Sequence, residues 1–352
     1  MTALPDAAEG GPDVPAEPHA DQLRAAGLTR VVLPAGNEMG TVNAWIVDDD
    51  PLTLVDAGTR APGAIEALDA ALRGLGRTAE DIGLVLLTHH HADHLGLVGE
   101  VVRRSGAEVA ALAPVADYLG DYDAATAADR AFSSDLLLRH GADAATVAAH
   151  RAGWASFHGL AEAAPAGVPL TAGSRLRLRD RTLEVLPRPG HSETDVLLVD
   201  AERRLALGGD HLLGTAPSVP VRDRPLAPAG PYAPREDDLG VLVRYRASLR
   251  ATRELPVDLV LPGHGPAFSG LPAVVDGHLE RQARDAERLL ERAGAEPFTA
   301  VGLAGRIWPR AAPPMVFVLL STVLGGLGLL QAEGRVRRSE AGDGEPVRFV
   351  AA

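Results

Sequence analysis

Cysteine is absent from all 352 residues. That excludes disulfides, thiolate metal ligands and thiol nucleophiles. Lysine is absent too, since all 34 basic residues are arginine. Together with the abundance of Ala, Gly and Pro, this bias reads as the mark of a GC-rich genome and not as a functional signal. Positive charge is scarce overall. With 47 acids the net charge is -13, which argues against a nucleic-acid partner and against an anionic membrane. The first residues are acidic and proline-rich, with no basic region leading into an apolar core, so no secretory signal is expected and a cytoplasmic location is. Long apolar runs are almost missing. The exception, Met315 to Ala332, is uncharged and about long enough to cross a bilayer. Its central glycines, its start after Pro313-Pro314 and its place among other helical segments make it a buried core helix instead.

What is present supports a large core. Hydrophobic residues make up 46% of the chain, and the length suits one big domain with a smaller one. The chain is organised around His89-His90-His91-Ala92-Asp93-His94. This hexapeptide follows the apolar run 83–88, which reads as a buried strand, and precedes a helical pattern over 95–104. Such side chains sit on a tight loop at a strand's carboxyl end, and neutral imidazoles with a carboxylate are what a Zn²⁺-like ion needs. His89 and His91 alternate, so in extended backbone both rings point the same way. Asp93 and His94 then turn away and can serve a second ion. His90 is expected to hydrogen-bond elsewhere.

In chain order, residues 1–27 read as a flexible arm. Strands follow over 31–33, 41–47 and 52–55, the last ending in Asp56-Ala57-Gly58. A helix is expected over 62–75 and a strand over 108–112. Residues 116–164 are Ala-rich, lack a strand pattern and are long for a loop, so they form a helical insertion. Val147, Arg151, Trp154 and His158 share a helical face, with His150 beside it. Two readings stand here: an amphipathic helix packed on the domain, or a lid whose His150, Trp154 and His158 line a substrate pocket. Strands return after Pro169, and a rhythm appears of strand, glycine turn, then His191, Asp210 or His264. His211 is expected to lie outside the ligand set. The Pro-rich, charged stretch 216–235 reads as a loop, and 239–255 as a helix. From residue 276 three helical segments precede Arg335–Arg338 and Pro346–Val350, which flank Gly342-Asp343-Gly344 as a hairpin. Helices and hairpin together describe a winged-helix domain over 276–352.

His89-x-His91-x-Asp93-His94, followed by His191, Asp210 and His264 and preceded by Asp56, resembles the metallo-β-lactamase superfamily over residues 28–275. The resemblance implies an α/β fold, an αββα sandwich of two mixed sheets with helices outside and a dinuclear site at one edge. It places the first ion on His89, His91 and His191, the second on Asp93, His94 and His264, and Asp210 between them. Asp93 and Asp210 are the expected catalytic carboxylates, and Asp56 orients ligands through hydrogen bonds. Two divalent ions are implied, Zn²⁺ suiting the donors, with Fe and Mn as alternatives. Iron-type oxygen-reducing relatives carry a carboxylate where this chain has His91, so a hydrolase using a metal-bridging hydroxide is expected.

The superfamily is chemically broad. The four-ligand pattern and bridging aspartate resemble thiolester hydrolases of the glyoxalase II type. The tail resembles instead the winged-helix extension of a β-lactamase-like subfamily. Some of those relatives act on RNA, and RNA cleavage calls for a basic groove. Residues 276–352 carry 10 Arg against 10 acids, and 314–331 carries no charge. A small acyl substrate (thioester, ester or lactone) is therefore expected ahead of an endoribonuclease or phosphodiesterase, and ahead of a non-catalytic metal-bearing regulator. The winged helix is expected to pack on the catalytic domain or to form a homodimer contact.

Overall fold

The computed structural model describes residues 17–36, 40–226, 239–311, 315–339 and 344–352. Among them the apolar stretches build two six-stranded sheets. The first runs β1 (Leu28–Pro34), β2 (Thr41–Val47), β3 (Leu52–Val55), β4 (Ile82–Leu86), β5 (Glu108–Leu112) and β6 (Val168–Leu170), in that order. It is antiparallel from β1 to β3 and parallel from β3 to β6. The second sheet contains β7 (Arg175–Arg177), β8 (Thr182–Pro187), β9 (Val196–Asp200), β10 (Leu205–Gly209), β11 (Leu259–Pro262) and β12 (Phe268–Ser269). Its strands are antiparallel except for the β10–β11 pair.

Side chains alternate across each strand, so each sheet has two faces to bury. Trp45, Val55, Leu84 and Leu86 meet Val185, Leu198, Leu207 and Leu261 in the core between the sheets. The chain begins with α1 (Ala20–Ala25), whose Leu23 caps that core. The outer face of the first sheet carries Ile46, Leu54 and Val85. It is covered by α2 (Ala64–Gly74) and, after the short α3 (Ala92–Leu95), by α4 (Val98–Ser105) and α5 (Ala113–Gly120). The insertion continues as α6 (Tyr122–Arg139) and α7 (Ala144–His158). The outer face of the second sheet, with Leu197, Val199, Ala206 and Val260, packs under α8 (Val241–Arg253) and α9 (Leu271–Ala293). Burial on both faces explains why β3, β9 and β11 are buried at every position and, apart from Thr53 and Asp200, apolar and not alternating. The αββα layering follows directly.

The later helices are α10 (Ala300–Ile307) and α11 (Val316–Ala332), followed by the antiparallel hairpin of β13 (Val336–Ser339) and β14 (Arg348–Ala351). The hairpin's Gly342 and Asp343, like Pro313-Pro314 and residues 227–238, lie outside the described residues. Helix α11 lies against α8, α9 and α10. Leu320, Val323, Leu324, Leu327 and Leu330 join the same core as Leu242, Tyr245 and Leu249. A side chain at Gly328 would collide with the backbone of Leu239, so glycine permits this close approach. Among the described residues no helix is long and apolar enough to cross a membrane.

Two boundaries differ from expectation. The arm 1–27 is packed from residue 17 onward. Glu17 accepts from the backbone N–H of Ala267 at 3.1 Å, and Leu23 is buried. Leu23 at the mouth of the inter-sheet core, with Arg181 donating to the Ala26 carbonyl, docks a short helix that composition alone reads as loose. The division at 275/276 falls inside α9, which starts at Leu271 because Gly270 turns the chain with φ 74° and proline follows Leu271.

The shared core has a measurable consequence. Leu324→Ala should lower unfolding free energy by roughly 2–5 kcal/mol in a urea titration. A loss below about 0.5 kcal/mol, the range of neutral surface changes, would mean that α11 is loosely attached.

Candidate metal centre

The strands β3, β4, β8, β10 and β11 all end at the same edge of the sandwich, because β3–β4 and β10–β11 are parallel and β8 and β10 each run antiparallel to β9. Carboxyl ends of strands are where α/β sheets place ligands. Asp56 follows β3 and holds a left-handed backbone, φ 57°, uncommon for a non-glycine residue. That turn aims its carboxylate under the hexapeptide. Oδ1 accepts from the Thr88 backbone N–H at 2.9 Å. Oδ2 accepts from the Thr88 hydroxyl and from His94 Nδ1, each at 2.8 Å. On the far side, Asn43 and Trp45 of β2 donate across the sheets to the carbonyl of Pro262, at 2.9 and 3.1 Å. They clamp the turn that carries His264. A Cβ at Gly263 would collide with Asp210 and His94, so glycine is required where these ligand loops meet.

Every candidate imidazole has one nitrogen tied outward. His89 Nδ1 lies 3.0 Å from Thr88 Oγ1, whose proton goes to Asp56, so the ring is the donor. His191 Nδ1 donates to the Val219 carbonyl at 2.8 Å, and His264 Nδ1 to the Thr41 carbonyl at 2.7 Å. His91 is reversed: its Nε2 donates to Asp223 Oδ1 at 3.3 Å. The opposite nitrogens all face the centre.

They gather with the carboxylates into two groups, His89–His91–His191 and Asp93–His94–Asp210–His264. Asp210 reaches both, with Oδ1 3.4 Å from His94 Nε2 and Oδ2 3.3 Å from His264 Nε2 and 3.7 Å from His191 Nε2. Asp93 Oδ2 is 3.4 Å from His264 Nε2. All seven expected ligands therefore converge. The residues fit a cation on three counts. Among the described residues, His89 Nε2, His94 Nε2 and Asp210 Oδ1 are buried without a hydrogen bond, a cost a native fold rarely leaves unanswered. His91 Nδ1 and His191 Nε2 face each other at 2.9 Å, where two lone pairs repel unless a positive charge lies between. The donor set of imidazoles and carboxylates is one that divalent metals accept.

The electrostatics divide the groups. Burial, with neighbouring imidazoles, holds His89 well below the ordinary imidazole value. Burial likewise lowers His91, and brings His191 to about 4. His94 moves the other way. Desolvation opposes the charged form, but Asp56, Asp210 and Asp93 raise it well above the usual value. His264 rises to about 10, again against desolvation and because of Asp210 and Asp93. Desolvation also opposes ionisation of Asp93 and Asp210, yet the imidazoles of His94 and His264 hold both low. The second group thus carries the anionic charge and the first supplies neutral donors.

His90 and His211 stand outside the two groups. His90 Nδ1 pairs with Thr194 Oγ1 at 2.8 Å, and His211 Nε2 with Thr252 Oγ1 at 2.9 Å. The three residues expected in a substrate pocket have their polar groups bonded among the helices of the insertion. His150 is buried between helices, 2.8 Å from Ser133 Oγ and with its ring 5.5 Å from Phe317. Trp154 Nε1 donates to His150 Nε2 at 2.9 Å, and half-exposed His158 pairs with Asp123 at 3.0 Å. Among the described residues none of the three bonds to, or stacks on, a ligand side chain. The insertion instead presents Tyr118, its ring 5.0 Å from His90 and its hydroxyl donating to Asp129 at 2.8 Å. Sequence reading missed Thr88, Tyr118, Asp129 and Asp223. Thr88 adjoins the hexapeptide and was within reach of inspection. Asp223 lies in a Pro-rich charged stretch that gives no periodic signal.

Known proteins agree with this geometry. A sequence model described as the metallo-beta-lactamase superfamily matches residues 38–264. The "Probable metallo-hydrolase YqjP" of Bacillus subtilis is 29% identical over 304 residues, 86% of this chain and 91% of that protein. An "Atrochrysone carboxyl ACP thioesterase" of Aspergillus fumigatus is 22% identical over 238 residues, 68% of this chain and 40% of that protein. Among solved structures, a metallo-beta-lactamase family protein from Thermus thermophilus superposes with a TM-score of 0.75 at 23% identity, covering 93% of this chain and 99% of its own. A beta-lactamase domain protein from Burkholderia ambifaria gives 0.76 at 22% identity, covering 96% and 98%. With the matched region spanning every ligand candidate from His89 to His264, the chain belongs to the metallo-β-lactamase superfamily and is a metallo-hydrolase.

Proposed function

We propose that this metallo-hydrolase holds two divalent ions, Zn²⁺ suiting its donors, and hydrolyses a small acyl substrate such as a thioester, ester or lactone. The observation that carries the two-ion reading is the position of Asp210, within 3.3–3.7 Å of a ligand nitrogen from each group. His89, His91 and His191 would hold one ion and Asp93, His94 and His264 the other, with Asp210 shared. Bound, such a pair supplies Lewis acidity and a nucleophilic water at neutral pH. The chain's own part is orientation. Asp56 holds His94 and, through Thr88, His89, so one carboxylate sets a ring in each group.

Two features support the acyl reading over phosphodiester or RNA cleavage. The thioesterase likeness covers most of this chain. Two arginines near the centre are also committed: Arg224 pairs with Asp129 and Arg244 with Glu193, at 2.8 and 2.9 Å. A polyanion would meet few unneutralised cations there.

Dialysis against a chelator should abolish hydrolysis of a thioester, and Zn²⁺ should restore it. Asp210→Ala should cost at least about 100-fold in kcat/KM, the scale of one electrostatic stabiliser. A fully active alanine variant removes the shared-ligand role, and a substrate panel in which only RNA is cleaved reverses the substrate class. Metal loading should also release protons. His264, raised to about 10 by Asp210 and Asp93, is protonated at pH 8 before an ion displaces that proton. Calorimetric titration with Zn²⁺ at pH 8 in buffers of different ionisation enthalpy should give buffer-dependent heats. Identical heats in all buffers would contradict this account of the second group.

A further inference from the structure

The segment between β10 and α8 touches the centre repeatedly. Ser218 Oγ donates to the Asp210 carbonyl at 2.5 Å. The Val219 carbonyl accepts from His191 Nδ1, and the Val221 N–H donates to the His191 carbonyl at 2.8 Å. Asp223, its side chain 10% exposed, accepts from His91 Nε2 at 3.3 Å. The other side of the segment is fastened to helices. Arg224 Nε donates to Asp129 of α6 at 2.8 Å, and the Arg222 N–H to Ser321 Oγ of α11 at 3.1 Å. The Arg222 guanidinium lies 5.9 Å over the Phe132 ring.

His91 is the one ring of the candidate ligands that must present Nδ1 inward. In neutral imidazole the tautomer with Nε2 protonated is required for that, and a carboxylate at Nε2 selects it. His90, His91 and Asp223 also lie close enough to suggest a third ion position. That use would strip the Nε2 proton and make His91 an imidazolate shared between ions, so the hydrogen-bonded arrangement is the simpler one.

We propose that Asp223 is a positioning residue for the first ion: it fixes the His91 tautomer and ring orientation that turn Nδ1 toward His89 and His191. The proposal rests on the two-ion reading above. It also makes the strap 218–224 the route by which α6 and α11 hold the centre in shape.

The test is Co²⁺ titration of the metal-free full chain, followed by visible absorbance and equilibrium dialysis. Wild type should take up two ions. Asp223→Ala should weaken one binding event by roughly 10–100-fold and leave the other at wild-type affinity, with the melting temperature of the metal-free protein unchanged. Asp223→Asn, whose amide oxygen still accepts from Nε2, should recover most of the loss. Where the alanine variant does not fold, Asp223→Ser, too short to reach the ring, takes its place. Wild-type affinity at both ions in the alanine variant overturns the proposal. So does equal weakening of both ions together with a lowered metal-free melting temperature, which is the signature of a merely structural residue. A wild-type chain that binds fewer than two ions sinks the two-ion reading itself, and this proposal with it. That result differs from two-ion binding that ignores Asp223.

Discussion

Each ring at this centre has one nitrogen tied to the protein, and the site's chemistry depends on that constraint. The five acceptors are the Thr88 hydroxyl, the Asp56 and Asp223 carboxylates and the carbonyls of Val219 and Thr41. A carbonyl cannot titrate, and it moves only with its strand or loop. His191 and His264 are therefore as well placed as the backbone behind them. The inward atoms are then left facing one another in a space with little water. An unmet buried polar atom costs about 1–3 kcal/mol. His89 Nε2, His94 Nε2 and Asp210 Oδ1 lie together in that condition. A cation is the one partner that answers lone pairs and carboxylates at once.

Neither sheet builds an ion group alone. The first group takes His89 and His91 from the loop after β4 and His191 from the loop after β8. The second takes Asp93 and His94 from one side and Asp210 and His264 from the other. Bound ions would pin the two layers together at their open edge, so metal affinity and inter-sheet packing are linked. The link is not obligatory for folding. Leu86, Leu198, Leu207 and Leu261 already join the sheets through apolar burial, and Asn43 and Trp45 bridge them by hydrogen bonds. The layers set the ligands in advance, and the ions meet a site that needs little further ordering.

Much of this was legible in the sequence because its signals are local. Four donors in one hexapeptide, a strand before it, and glycine before His191 and within two residues of Asp210 and His264 are patterns of neighbouring residues. What was not legible depends on partners far apart in the chain. His91 and Asp223 are 132 positions apart, and no periodicity announces such a pair. The helix carrying His150, Trp154 and His158 was recognised, but which neighbour takes its polar groups was not. Ser133 takes the His150 ring nitrogen and Asp123 that of His158, with Phe317 against the His150 ring, because α6 and α11 flank α7. Residues 17–27 read as loose by composition, yet buried Leu23 and a few hydrogen bonds dock them. Composition reports the average tendency of a stretch, and a few well-placed contacts can outweigh it.

The ligand cage and the determinants of substrate choice come from different parts of the chain. The cage hangs on strand ends and carbonyls, which a change of surface residues leaves alone. The charges around it hang on helices. Asp129 belongs to α6 and faces Arg224, while Arg244 belongs to α8 and faces Glu193. Freeing either arginine by replacing its acid would turn a neutral wall into one that attracts anions, without touching a ligand. A superfamily can then keep one cage and vary its chemistry through the helices that surround it. In this chain those helices also bear on Arg222 through Phe132 and Ser321, so residues of α6 and α11 act on the centre from outside it. Packing of α11 against α8 and α9 is therefore part of what shapes the active end, and not only a source of stability.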